Sequence, residues 1–110
     1  MTLDFDRMPS LVQPRFKGGQ GEAETRIFQD DMGKILRLTL QPGSSIGLHT
    51  HEDSCEIMYF LSGTGMCLDD GAEVAVYPGL CHYCPRGHSH SVVNTGTEPL
   101  VILGIVPSAK

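Results

Sequence analysis

Turn-forming residues divide most of this 110-residue chain into short segments. The sequence has thirteen Gly and seven Pro, and several of the segments between them alternate apolar and polar residues. In the segment 34–40, Leu36, Leu38 and Leu40 would share one face of a strand, because successive side chains of a strand point to opposite sides. No segment repeats apolar residues with the spacing of a helix. The pattern therefore predicts an all-β protein.

The predicted strands recur at intervals that are typical of a β-sandwich or barrel. A chain of this length holds one core, so residues 23–110 are predicted to form a single barrel domain. Residues 1–22 contain Pro9, Pro14 and a Gly-rich stretch without strand or helix periodicity. They are predicted to be an N-terminal arm, either frayed or laid across a partner subunit. The eight predicted strands cover residues 25–29, 34–40, 46–51, 55–61, 65–68, 73–77, 88–93 and 100–106.

The charge of the chain excludes several classes of partner. Its net charge is −5 and its eight Lys and Arg residues are scattered singly, whereas nucleic acids and anionic membranes attract clustered basic residues. No apolar stretch approaches the ~20 residues that cross a bilayer. The N-terminus also lacks the basic start and apolar centre of a signal peptide. We therefore expect a cytoplasmic protein whose partner is a small molecule, not nucleic acid or membrane.

The four cysteines leave more than one interpretation open. Cys81 and Cys84 form a Cys-x-x-Cys pair, which occurs in zinc ribbons and in redox proteins. A ribbon needs a second pair, however, and Cys55 and Cys67 are too far apart to supply it. A redox pair usually opens a helix, and Pro85 follows directly. We interpret the cysteines as small, partly buried apolar side chains, with a redox or metal role as the alternative.

Histidine and glutamate residues indicate a metal site. His49 and His51 are two residues apart, so they would project from the same face of a strand, and Glu56 follows at the start of the next predicted strand. His90 lies further along, after a turn rich in Pro and Gly. A single His on a strand is most often a polar surface residue. Three imidazoles and one carboxylate together are a common ligand set for Fe, Mn, Ni, Zn or Cu, and they leave two coordination positions open.

The residues around these ligands resemble the two signature motifs of the cupin family. Both motifs combine turn-forming Gly or Pro with metal ligands at fixed spacings, and together they span residues 43–94. The first reads Gly43, five residues, His49, one residue, His51, four residues, Glu56, six residues, Gly63. The second reads Gly79, five residues, Pro85, one residue, Gly87, two residues, His90, three residues, Asn94.

The resemblance implies a cupin-type double-stranded β-helix, or jelly-roll barrel, with the N-terminal arm outside it. It also implies one divalent transition metal bound by His49, His51, Glu56 and His90, and a homodimer. Because the chain carries one copy of the motif pair, it resembles the small single-domain cupins. Asn94 suits the turn that follows the last ligand, so we assign it a structural role.

Strand alternation predicts which residues surround the metal. Met58 and Phe60 share the face of Glu56, and Val92 shares the face of His90, so all three are predicted to contact substrate. His82 and Tyr83 precede the second motif and are predicted to line the mouth of the cavity.

Two charged or titratable residues allow opposite interpretations. Arg37 could anchor an anionic substrate through a bidentate contact, or it could be a solvated residue on the outer face of the barrel. His88 lies two residues before His90, so it could be a proton shuttle or a fifth ligand, or a histidine of the rim facing solvent.

From these residues we expect a metal-dependent enzyme acting on a small organic substrate, namely a dioxygenase-type oxidoreductase in which Glu56 or His88 moves a proton. A metal-dependent isomerase or lyase is the nearest alternative. A non-catalytic module that binds a sugar or a phenolic compound is the other alternative, because this fold serves many functions.

Overall fold

The computed structural model describes residues 1–108, and within them it contains ten strands and two short 3-10 turns, Phe5–Arg7 and Phe16–Gly18. No helix in this part of the chain is long and apolar enough to cross a membrane. The strands are β1 (Leu11–Pro14), β2 (Glu22–Asp30), β3 (Gly33–Leu40), β4 (Ser45–Thr50), β5 (Glu56–Ser62), β6 (Gly65–Asp69), β7 (Ala72–Val76), β8 (Cys81–Cys84), β9 (Ser89–Val93) and β10 (Leu100–Pro107).

These strands form two antiparallel sheets that face each other as in a jelly roll. The larger sheet has the order β1-β2-β3-β10-β5-β8, and the smaller sheet has the order β4-β9-β6-β7. The all-β class is therefore confirmed. All eight predicted strands are present, with bounds that differ by at most three residues from the prediction.

Alternation along the strands builds the core between the sheets. Leu36, Leu38 and Leu40 of β3 are all buried, as predicted. Phe60 of β5, which is separated from β3 by β10 in the same sheet, and Val92 of β9 in the opposite sheet belong to the same core cluster, and both are almost fully buried. Burying an aliphatic or aromatic side chain of this size contributes roughly 1.5–3 kcal/mol to the free energy of unfolding, so this cluster is a main source of stability.

The N-terminal segment contains a strand that the sequence did not predict. Leu11–Pro14 pairs antiparallel with β2 and forms one edge of the larger sheet. The prediction of an arm without strand structure was wrong here because backbone groups at the open edge of β2 can pair with almost any extended segment. Pro14 closes β1 at an edge, where a missing N–H is tolerated. The segment thus packs on its own barrel.

A second unpredicted strand, β8, pairs with β5 in a register that places Met58 beside His82. Its four residues lie between Pro78-Gly79 and Pro85, and these turn-forming residues are the reason that the sequence predicts a loop here. In this strand, His82 and Cys84 point into the barrel, whereas Cys81 and Tyr83 point out.

Candidate metal centre

Three strands from both sheets bring the predicted ligands together. His49 on β4 lies directly opposite His90 on the neighbouring strand β9, and His51 follows His49 on the same face. Glu56 begins β5 in the other sheet and points inward. The four side chains are all mostly or completely buried, and His90 has no exposed surface. Residues far apart in the chain thus meet between the two sheets.

The ligand atoms lie close enough to surround one ion. The Nε2 atoms of His49, His51 and His90 form a triangle with sides of 3.2, 3.0 and 3.1 Å. Oε1 of Glu56 is 3.0 Å from Nε2 of His51 and 3.1 Å from Nε2 of His90. Its distance to Nε2 of His49 is longer, at 4.0 Å. All four atoms lie within 4.8 Å of one another.

These distances fit an octahedral metal ion. With bonds of about 2.1 Å, neighbouring ligand atoms of an octahedron are about 3.0 Å apart and opposite ones about 4.2 Å apart. Five of the six distances match neighbouring corners, and the His49–Glu56 distance of 4.0 Å matches opposite corners. In an ion held at these four positions, the two remaining positions would be neighbours of each other. The set can therefore hold a metal ion and leave two adjacent positions for a ligand.

A hydrogen bond at Nδ1 of His49, the ring nitrogen that points away from the other ligands, determines that Nε2 is the atom that can bind a metal. Nδ1 of His49 lies 2.8 Å from the backbone oxygen of Gly47. Because a carbonyl oxygen only accepts, Nδ1 carries the proton, and the lone pair of a neutral ring is on Nε2. Nδ1 of His51 lies 3.1 Å from the Ser54 hydroxyl, which can donate or accept. Such contacts orient metal-binding histidines in many proteins.

Glu56 is held in its charged form. Burial by itself raises the pKa of this carboxyl group, but hydrogen bonds from the His51 and His90 rings and the nearby imidazoles outweigh burial and lower the pKa to about 2. A carboxylate that is ionised throughout the neutral range is a good metal ligand and a weak base. This favours a ligand role for Glu56 over the proton-moving role expected from the sequence.

His49 is held in its neutral form. Burial lowers the pKa of its ring, and the neighbouring His90 and His51 lower it further, although the hydrogen bond to Gly47 and the charge of Glu56 act in the opposite direction. Since only the neutral ring offers a lone pair, the fold keeps this ligand available to a metal below the pH at which an exposed histidine is protonated.

A cavity of about 590 Å³ borders His49, His51 and Glu56, which is within the range of small-molecule sites. Its buried wall is mostly aliphatic. Charged residues that line it, including Lys17, Asp30 and Glu52, are exposed and belong to its outer part. The buried apolar residues of the wall are Leu36, Leu38, Ile46, Met58 and Ile102.

The three residues predicted on the ligand-bearing faces have different positions. Met58 lines the cavity, as predicted. Phe60 and Val92 share its inward orientation, yet they belong to the hydrophobic core and are not part of the cavity wall. Alternation predicts the face of a strand correctly, but it does not tell how far along the strand the cavity extends.

Arg37 lies on the outer face of the larger sheet, away from the cavity. Its Nη2 is 2.8 Å from Oδ1 of Asp6, and its guanidinium lies over the ring of Phe5. Because Leu36 and Leu38 occupy the inner face of β3, the side chain between them must point outward. The anchoring role for Arg37 is therefore not supported, and the outer-face interpretation agrees with its position.

His88 and Tyr83 are also outside the metal centre. His88 is exposed, and its Nδ1 lies 3.1 Å from Oδ2 of Asp70. His88 was expected on the same face as His90 because the two residues are two positions apart. However, β9 begins only at Ser89, and the preceding turn contains Gly87 with a φ of +86°. Alternation does not extend into that turn. Tyr83 points out of the barrel from β8 and is 54% exposed.

His82 is buried inside the barrel and does not line the mouth of the cavity. Its Nε2 lies 2.9 Å from Nδ1 of His90, on the side of that ring that faces away from the other ligands. Burial lowers the pKa of His82. The sequence analysis missed this contact because it did not predict the strand at residues 81–84, which turns His82 inward.

The cysteines do not form a paired site. Cys81 is exposed and Cys84 is buried, as expected for residues three apart on a strand, which point to opposite faces. Burial raises the pKa of the Cys84 thiol to about 11 and that of the buried Cys67 to about 12, so both are protonated at neutral pH. This agrees with their interpretation as small apolar side chains.

Comparison with known proteins identifies the family. The cupin domain family matches residues 36–106, which include all four ligands. This chain belongs to the cupin family. An oxalate-binding protein of Thermotoga maritima is 36% identical to this cupin over 96 residues, covering 82% of this chain and 79% of that protein.

Two further similarities bear on the whole chain. A crystal structure of a Thermotoga maritima protein described as a predicted oxalate decarboxylase superposes with a TM-score of 0.94 at 32% identity, covering 98% of this cupin and 99% of that chain. A glucose-6-phosphate isomerase of Thermococcus gammatolerans is 38% identical over 104 residues, which are 90% of this chain. The match spans about half of that isomerase, 52% of its length.

Proposed function

We propose that this cupin binds a divalent metal through His49, His51, Glu56 and His90, and that the bound metal holds a small dicarboxylate of the oxalate class. The observation that carries the proposal is the arrangement of the four ligand atoms, which leaves two neighbouring corners of an octahedron. A metal ion supplies positive charge and two adjacent binding positions. Two carboxylate oxygens on adjacent carbons have the spacing of such neighbouring corners.

The cavity wall supports a ligand that is held mainly by the metal. Leu36, Ile46 and Ile102 offer no hydrogen bonds, so the hydroxyl groups of a sugar would lose their water without gaining partners in the buried part of the cavity. A carboxylate chelator avoids this cost because its oxygens face the metal. Beside the metal site, where the wall is buried and aliphatic, the attraction between a dianion and the metal would be stronger than in water. The similarity to an oxalate-binding protein agrees with this ligand class.

A binding protein accounts for the titratable groups better than an enzyme does. The dioxygenase expected from the sequence relied on Glu56 or His88 to move a proton. Glu56 has a pKa of about 2 and is therefore a weak base at neutral pH, and His88 is exposed beside Asp70. The dioxygenase stays a prediction, tested by oxygen uptake with catechols, diketones, thiols and hydroxy acids.

A chelate-size series tests the proposed ligand. Oxalate forms a five-membered ring with a metal, malonate a six-membered ring, and succinate a seven-membered ring, while all three are dianions at neutral pH. Calorimetric titration of the metal-loaded cupin should give affinities in the order oxalate, malonate, succinate, and metal-free protein should bind none of them. Equal binding of oxalate and succinate, or binding of oxalate without metal, would contradict the proposal. Release of formate or carbon dioxide from bound oxalate would show an enzyme instead.

Isomerisation of a phosphosugar is a second candidate, favoured by the 38% identity to a glucose-6-phosphate isomerase. Lys17 and Lys34 line the cavity and have the charge to contact a phosphate. A coupled assay of the metal-loaded cupin with fructose 6-phosphate tests this activity. Conversion to glucose 6-phosphate would support this candidate, and its absence would favour the dicarboxylate.

We also propose that the chain forms a homodimer, as expected from the resemblance. Exposed apolar side chains support this assembly, among them Tyr59, Leu61 and Tyr83 on the outer face of β5 and β8. Because β8 is an edge of the larger sheet, a second copy could cover these side chains. Light scattering during size-exclusion chromatography should give twice the mass of one chain, and a monomer at high protein concentration would contradict the proposal.

A further inference from the structure

His82 contacts the metal centre from behind its most buried ligand. It is 8% exposed and belongs to β8. Its Nε2 lies 2.9 Å from Nδ1 of His90, with the two ring centres 5.2 Å apart. On the far side of the His82 ring, Nδ1 lies 3.8 Å from Oδ2 of Asp69. His82 is not among the four ligands, and nothing in the proposed binding of a dicarboxylate uses it.

The three ligand histidines differ in the hydrogen-bond partner of Nδ1, the ring nitrogen that points away from the other ligands. His49 donates to a backbone oxygen, and His51 contacts the hydroxyl of Ser54. His90 is completely buried, so water cannot reach its Nδ1, and His82 is its partner within the described residues. A metal bound at Nε2 of His90 requires the proton to be on Nδ1. That N–H needs an acceptor, and Nε2 of His82 is in position to be one.

We propose that His82 is a positioning residue that orients His90 for metal binding. This inference rests on the metal site of the proposed function but not on the identity of the organic ligand. Nε2 of His82 accepts the hydrogen bond from Nδ1–H of His90, and the proton of His82 is then on Nδ1, toward Asp69. The lone pair of His90 is thereby kept toward the metal.

The strand pairing explains why this contact can set the geometry of the site. His82 belongs to the larger sheet, where it pairs with Met58 on the strand that also carries Glu56. Asp69 belongs to the smaller sheet, where it pairs directly with His90. The contact of 2.9 Å between His82 and His90 therefore joins the two sheets beside the ligands. It fixes His90 relative to Glu56, which approaches from the other sheet.

Substitutions that differ by one methylene group test the role of His82. In His82→Gln, the side-chain oxygen reaches about as far as Nε2 and can accept from His90, whereas in His82→Asn it is too short. His82→Leu removes the acceptor altogether. Affinity for Mn²⁺ or Co²⁺, measured by competition with a chelator, should fall about 10–100-fold in His82→Asn and His82→Leu. His82→Gln should retain most of the affinity, and Asp69→Asn should lose less than His82→Leu.

Val76→Ala is the matched control, because Val76 is buried in the core and lies on β7, outside the ligand cluster. It should lower thermal stability without lowering metal affinity. The visible spectrum of the Co²⁺ form adds a readout that a loss of stability alone would not change: it should differ from wild type in His82→Asn and be restored in His82→Gln. Wild-type affinity and spectrum in His82→Asn would overturn the inference, as would equal losses in the Gln and Asn variants.

These outcomes are separate from the test of the dicarboxylate ligand. A wild-type protein that binds metal tightly but binds no oxalate contradicts the proposed ligand and leaves the role of His82 standing. Conversely, oxalate binding by a His82→Leu variant with wild-type metal affinity contradicts the role of His82 alone.

Discussion

The two halves of the barrel interior use the same strands for different purposes. Glu56 and Phe60 both point inward from β5, and His90 and Val92 both point inward from β9. Phe60 and Val92 pack in the hydrophobic core, whereas Glu56 and His90 belong to the cluster that could hold a metal ion. The inward face of a strand is therefore not one environment. Core and candidate site lie at different positions along these strands, and we expect a change in one to have little effect on the other.

The largest effect is expected from removing a central ligand. Nε2 of His51 lies within 3.2 Å of three other ligand atoms, so His51→Ala should lower metal affinity by more than about 100-fold, since losing one well-placed ligand costs at least as much as losing an outer contact. Elemental analysis after dialysis against a weak chelator measures the loss. Full metal content in this variant would mean that the four residues are not the site.

A substitution in the hydrophobic core should have the opposite effect, lowering stability and leaving metal binding intact. Phe60 is completely buried, so Phe60→Ala should lower the free energy of unfolding by about 3–5 kcal/mol through lost packing and a new cavity. Urea unfolding of the metal-free protein measures this value. The folded variant should still bind one metal per chain. Loss of metal together with stability would show that the two halves are energetically one unit.

The charge of Glu56 gives the candidate site a pH dependence that the apolar core does not share. Its pKa is lowered from the usual 4.5 to about 2, so its contribution to stability is present above pH 4.5 and is lost as the pH falls toward 2. Between pH 5 and 8 the carboxylate is ionised throughout. Glu56→Gln should therefore lower metal affinity by the same factor at every pH in this range. A ratio of wild-type to variant affinity that changes between pH 5 and 8 would contradict this expectation.

His49 should determine part of the pH dependence that remains. Its lowered pKa means that the metal-free fold favours the neutral ring, so stability is present above pH 6.5 and is lost as the pH falls below it. Metal affinity of the wild-type protein should start to fall only below about pH 6. Competition titrations in half-unit steps from pH 5 to 8 would show this, and a decline that begins at pH 7 would contradict it.

The smallest effect is expected outside both halves. Arg37 forms an ion pair with Asp6, which is 81% exposed, and such pairs contribute less than about 1 kcal/mol. Arg37→Ala should change the free energy of unfolding by no more than this amount and leave metal and oxalate binding unchanged. A loss of oxalate affinity in this variant would return Arg37 to the binding site and contradict its position on the outer face.

Much of the fold could be predicted because alternation and turn residues are local signals. The leucines of β3, the turns between strands and the burial of Met58 all follow from residues close together in the sequence. The strands β1 and β8 could not be predicted in this way. Each has four residues and ends at or beside a proline, so each depends on the edge of a neighbouring strand for its hydrogen bonds.

The sequence by itself determined the candidate ligand set, because His49, His51, Glu56 and His90 stand at fixed spacings among turn-forming residues. Only the tertiary structure decided which other residues meet them. His88 and Arg37 are separated from the site by a turn and by the outer face of a sheet. His82 is joined to it by a strand pairing that the sequence did not indicate. The physical reason is that metal ligands are selected for their own chemistry, whereas the contacts behind them depend on strand register, and register is set by the whole sheet.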